Sequence, residues 1–132
     1  MSNELMNTSA ADKIGFITSM QTSSKRDKIV LAKALNAANP LRDKGTDVFE
    51  IVAIIQQQGI RAQSGTDCIN TYLVQRDGTA YFSQSDGIKR SAQEIMGIFT
   101  PAEIAEGIKV FVAEKKLDNG RTLKVLDFVL DD

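Results

Sequence analysis

The sequence predicts a mainly β domain with short helices. Three observations carry that expectation. Several runs alternate apolar and polar residues with a period of two, as strands with two different faces do. Asp77-Gly78 and Asn119-Gly120 separate pairs of such runs, and both dipeptides suit the positive-φ positions of a type I′ hairpin turn. The stretch Ser23 to Asn39 stands apart, with apolar residues at helical rather than strand spacing.

Met1 to Asp12 is small, polar and aperiodic, and is expected to be a mobile tail ahead of a single domain spanning 13–132. Lys13 to Gln21 alternates loosely and is predicted as the first strand, with Gly15 at a bulge or bend. Ser24 is placed to cap the helix that follows, and Asn39-Pro40 stops it. Lys25, Arg26, Lys28 and Lys33 give that helix a basic start, against the direction its dipole favours. A solvated helix face is the plain reading of those charges; a basic flap over a nucleic-acid groove is the functional one. Leu41 to Thr46 is a loop with Arg42 and Lys44. Asp47 to Gln57 is rich in β-branched residues and nearly continuous in apolar ones, so it is predicted as a strand covered on both faces. Gly59 to Asp67 is polar and turn-rich and carries Arg61.

Ile69 to Arg76 and Thr79 to Gln84 form the arms of a hairpin, and Asp86 to Arg90 turns out of it. Ser91 with Glu94 has the spacing of a capping box, opening a short helix with Ile95, Met96, Ile98 and Phe99 as its buried stripe. Thr100-Pro101 ends or interrupts it, and Pro101 to Ile104 adds a turn. From Gly107 the chain forms a last hairpin. Ile108, Val110 and Val112 alternate with Lys109, Phe111 and Ala113. After the turn, Leu123, Val125 and Val129 share one face and Lys124, Leu126, Phe128 and Leu130 the other.

Once the Ser23–Asn39 helix is set aside as an insertion between strands 1 and 2, strand units, a helix and two further strands remain. That is the layout of an OB-fold, a five-stranded Greek-key barrel with a helix between strands 3 and 4. The basic helix and the Lys115–Arg121 turn would then occupy the two connections with which this fold grips oligonucleotides.

The totals bound the function. A chain of 132 residues suits one domain, burying roughly two-thirds of its unfolded surface. With no histidine and one cysteine, a disulfide within the chain is excluded and a cysteine- or histidine-based zinc site nearly so. Cys68 is expected to be a buried small residue of a reducing compartment. No apolar run is long enough for a membrane span and the amino terminus has no basic-then-apolar signal, so the expected location is cytoplasmic. A net charge of −1 neither announces nor excludes nucleic-acid binding, because the clustering of charge is what matters. Glycine-rich phosphate loop, nucleophile elbow and histidine base are all missing, which argues against an enzyme. No cofactor is expected.

Single strands are held by a cationic groove along the phosphates and by aromatic faces on which bases stack, each stack contributing about 1–3 kcal/mol. Tyr72, Tyr81 and Phe111 neighbour polar residues and are the candidate stackers. Phe16, Phe49, Phe82, Phe99 and Phe128 are expected in the core. Arg42, Lys44, Arg61, Arg76, Lys109, Lys115, Arg121 and Lys124 are the candidate groove cations. The expected partner is single-stranded DNA, with RNA open, and further copies of the chain or replication and transfer proteins beside it. A protein-interaction adaptor of a phage or conjugation apparatus is the rival reading, since near-zero charge suits it equally.

Several stretches resemble the small single-stranded DNA-binding proteins of phages that replicate linear genomes by protein priming. They are Ile51-Val-Ala-Ile-Ile, Asn70 through Tyr81, Ala92-Gln-Glu-Ile, Ile108-Lys-Val and Asn119-Gly-Arg-Thr-Leu. The resemblance implies an OB-fold that coats single strands without sequence preference during phage replication, with plasmid-borne relatives equally able to carry it. It also implies stacking by tyrosines, with Tyr81 at a matching position. Where the family has tyrosines near the end of strand two, this chain has Gln56 to Gln58 and Gly59, which leaves Tyr72 to compensate or affinity to be weaker.

Overall fold

A computed structural model describes residues 16–61 and 63–130. The expected tail, Gly15, and the acidic end at Asp131-Asp132 lie outside the described residues. The described chain is mainly β. Eight strands form two sheets, one of five strands in the order β1-β4-β5-β6-β2 and one of three in the order β3-β7-β8. The expected mainly β class with short helices is found; no closed barrel is present among the described residues, whose strands lie in two sheets that share a bent strand.

The bend lies in the apolar run after Asp47. It forms β3 (Phe49–Ile51) and β4 (Ala53–Ile60), interrupted at Val52, whose N–H still bonds the Val74 carbonyl at 2.8 Å. β3 pairs with β7 (Ile108–Lys116) and β4 with β5 (Asp67–Val74), so one run of sequence serves both sheets. This explains its apolar character on both alternations: Ile51, Ile54 and Ile55 are each fully buried. β4 continues past the expected end at Gln57, because Gln58 to Ile60 keep pairing with Asp67 to Ile69.

β1 (Phe16–Thr18) is the short described part of the expected first strand and lies antiparallel to β4. α1 (Lys25–Ala37) is capped by Ser24, with Asp27 returning the bond to the Ser24 N–H. It lies across the outer face of the five-stranded sheet, where Ala34, Val30, Leu31 and Leu35 meet Ile55, Tyr72, Val74, Ala80 and Phe82. The basic helix is therefore a cover for apolar sheet surface.

β2 (Asn39–Pro40) runs parallel to β6 (Ala80–Ser83), and a 3-10 turn at Leu41–Lys44 follows it. The second helix, α2 (Asp86–Ile98), begins at Ser85, whose Oγ accepts from the Ile88 N–H. The expected turn at Asp86–Arg90 is thus its first turn and more. Ser91 is not a cap: its Oγ accepts from the Leu126 N–H at 3.0 Å and ties the helix to β8 (Thr122–Phe128). Starting earlier moves the buried stripe to Ile88, Ala92 and Ile95, with Ile98 exposed. Thr100 and Glu103 form a capping box for α3 (Pro101–Glu106).

Both hairpin turns differ from the expected type I′. Gly78 (φ 90°) and Gly120 (φ 84°) are left-handed, but Asp77 and Asn119 are not. The Gly78 N–H bonds the Gln75 carbonyl and the Gln75 N–H the Thr79 carbonyl, and Leu117 to Arg121 repeat the pattern. This is a turn closed by a bulged glycine, the usual three-residue hairpin connection.

The main core lies between the sheets and α2, built on Phe49, Ile51, Ile54, Leu73, Ile88, Ile95, Ile104 and Val110. Cys68 is buried as expected. Phe128, expected inside, is 40% exposed because β8 carries it to the sheet's end. No helix among the described residues is long and apolar enough to cross a membrane.

Candidate nucleic-acid interface

The edge of β6 turned away from β5 is taken by β2; among the described residues no ladder links β2 or β6 to β8, and this seam opens into a cleft of about 440 Å³. Local sequence builds each wall. On one side Pro40, which has no N–H to continue the β2 pairing, leads into the 3-10 turn; Leu41 is buried and Arg42 is directed outward. Gly45 (φ 57°) closes that turn through its N–H to the Arg42 carbonyl at 3.0 Å. On the other side stands Lys124 of β8. Phe82, Ser83, Gln84 and Ser85 run along the cleft between them. Gly87, in the first turn of α2, is buried against the Lys124 carbonyl, where a Cβ would overlap that oxygen. The close approach of helix to strand sets where Lys124 stands.

Arg61 closes one end of this surface. Its Nη2 donates to the Gln84 carbonyl at 3.1 Å and to Asp86 Oδ1 at 3.4 Å, and Asp86 also meets Lys89 Nζ at 3.8 Å. Arg42 and Lys124 therefore share one cleft, and Arg61 is tied to the backbone of Gln84, which also lines it. The tip of the β7–β8 hairpin, with Lys115 and Arg121 both exposed, extends from the strand that carries Lys124.

The remaining candidates are dispersed. Arg76 is held by Glu50 Oε1 at 3.2 Å and the Glu106 carbonyl at 2.8 Å. Lys109 and Phe111 share the outer face of the three-stranded sheet, opposite Glu50 and Asp127 in register. Val112 lines the cleft, so Phe111, its neighbour in the strand, faces the other way. Phe111 is half-buried.

Neither tyrosine is a free stacking face. Tyr72, expected to be exposed, is only 7% accessible, because α1 lies over it. Burial pushes its phenol above the ordinary value, with a hydrogen bond from Asn70 opposing part of the shift. Tyr81 is half-buried beside Phe49, ring centroids 6.2 Å apart, and Lys44 Nζ stands 4.9 Å from its ring centre. Lys44 thus occupies an aromatic face as a cation–π partner.

Sequence reasoning missed Phe82. Tyr81 and Phe82 are adjacent in β6, so they face opposite sides of the sheet. Phe82 meets Tyr72 at 6.2 Å and reaches the cleft at the helix edge. The adjacent Tyr-Phe pair signalled that one ring must face outward, but not which. Asn70 and Gln84, joined at 2.9 Å beside the cleft, were missed as well, since lone amides carry no motif.

A family model described as phage single-stranded DNA-binding protein matches residues 10–128, nearly the whole chain. No curated protein and no solved structure matches it. That family consists of binding proteins rather than enzymes, and single-stranded DNA is the ligand it implies. A cleft lined by two cations and an aromatic ring suits such a ligand, and the match over residues 10–128 places this chain in the phage single-stranded DNA-binding protein family.

Proposed function

We propose that the protein coats single-stranded DNA without sequence preference during phage DNA replication, in the cytoplasm of the host. The strand passes through the cleft lined by Arg42 and Lys124 and leaves toward Lys115 and Arg121. The observation that carries this path is that Arg42, Lys124 and Phe82 line one cleft, together with the polar residues Ser83, Gln84 and Ser85.

The same reading treats residues from Phe49 onward as an opened OB-fold. Its five strands are β3–β4 taken as one bent strand, then β5, β6, β7 and β8, with α2 between the third and fourth. In support, the bent strand pairs with both β5 and β7, β5 pairs with β6, and β7 pairs with β8. The loop at Arg61 and the Leu117–Arg121 turn then become the two gripping connections, and β1 with α1 precedes the barrel strands.

Mobility-shift titrations at two salt concentrations test it. Single strands are expected to bind at micromolar or tighter affinity, weakening as salt rises, and better than duplex. Each phosphate contact contributes about 0.7 to the slope of log affinity against log salt. Arg42→Ala and Lys124→Ala are each expected to weaken binding and lower the slope by about that amount. Arg76→Ala, whose native side chain is already held by Glu50, is expected to leave the slope unchanged. Flat titrations with every oligonucleotide at low salt overturn the proposal.

A further inference from the structure

α1 seals only part of the outer face of the five-stranded sheet. Beyond the helix that face turns polar. Gln57 of β4 and Asn70 of β5 stand opposite each other in register. Gln84, just past β6, donates from Nε2 to Asn70 Oδ1 at 2.9 Å. The Asn70 amide is thus held through its oxygen. Gly59 makes the space for it: a Cβ there would lie 2.6 Å from Asn70 Nδ2.

This arrangement orients Gln84. With Nε2 committed to Asn70, its carbonyl oxygen Oε1 accepts from no described residue. Gln84 also lines the seam cleft. A pre-oriented carbonyl at the edge of a cleft accepts from an N–H or O–H donor, water in the free protein and a ligand group in a complex. Phosphate oxygens only accept, so the strand's backbone cannot satisfy it.

We propose that Gln84 Oε1, oriented by Asn70, accepts a hydrogen bond from the Watson–Crick edge of an unpaired base and thereby favours single strands over duplex. The inference rests on the DNA-binding reading above. All four bases carry an N–H on that edge: N6 of adenine, N4 of cytosine, N1 and N2 of guanine, N3 of thymine. One acceptor therefore serves every base, which agrees with coating without sequence preference. In a duplex that edge is turned to the partner base.

The test compares oligothymidine of about 15 nucleotides, within the span of one or two binding sites, with the same strand methylated at every thymine N3. Methylation removes the donor and keeps the ring for stacking. The native protein is expected to bind the methylated strand about threefold to tenfold more weakly, the range of one net hydrogen bond. Gln84→Met, which keeps the length and loses the acceptor, is expected to bind both strands alike. Gly59→Ala, which displaces the Asn70 amide without deleting any amide, is expected to narrow the difference. Thermal melts check that both variants fold. Equal binding of the two strands by the native protein overturns the role of Gln84, as does a full difference surviving in Gln84→Met. Failure to bind either strand at low salt overturns the DNA-binding path itself.

Discussion

Tyr72 and Phe82 are cross-strand neighbours under one helix, yet only Phe82 reaches the cleft. The difference is where the edge of α1 falls, and no property of either residue encodes it. Phe82→Ala is therefore expected to weaken single-strand binding by about 1–3 kcal/mol, the range for loss of one stacking ring, whereas Tyr72→Phe is expected to leave affinity within about twofold, because a buried hydroxyl touches no ligand. Titration of the oligonucleotide against each variant checks both. Tyr72 also makes a pH prediction. Its phenol ionises above the ordinary value of 10.0 because burial disfavours the charge. The associated stability is fully present below that ordinary value and is lost as pH rises through the higher value of the folded state. Spectrophotometric titration is expected to show one phenol ionising late, and Asn70→Ala is expected to move it later still. Lys44 shows the same limit of sequence reading. Its charge is visible in the sequence, but its position over Tyr81 depends on the 3-10 turn that folds it back.

At the scale of elements, the hairpin positions and the Ser24 cap were legible because their chemistry is local. The return bond from Asp27 and the Thr100–Glu103 box are as local, yet went unread. The glycines of both hairpins sit where a left-handed residue is needed, although the turn is one residue longer than type I′ allows. Ser91 misled because its spacing to Glu94 has the same form as a cap, while its real partner is the Leu126 N–H on a distant strand. The two serines are expected to differ on substitution. Ser85→Ala loses a helix cap and is expected to cost about 1 kcal/mol. Ser91→Ala leaves a part-buried N–H of β8 without its acceptor and is expected to cost about 1–3 kcal/mol. Gly87→Ala is expected to destabilise by about 1–3 kcal/mol as α2 is forced off β8, and to weaken binding further by moving Lys124. Chemical denaturation of the three variants checks the order.

For the whole molecule, the decisive feature is that two sheets share the bent β3–β4 strand while no ladder among the described residues joins the β6–β2 edge to β8. Leu73 and Ile54 lie fully buried where the shared strand meets the core, and truncating either to alanine is expected to cost about 2–5 kcal/mol, read from thermal or urea unfolding. The sequence by itself determined most of the strands, the two hairpins, the Ser24 cap, the lack of a histidine-based site and the inventory of cations and rings, because each depends on residue type and short-range spacing. Tertiary structure alone decided that α1 would cover Tyr72, that Glu50 would hold Arg76, and that Arg42 and Lys124 would line one cleft. Those outcomes depend on contacts between residues far apart in the chain, and a period of two says that a strand has two faces without saying what will lie against either.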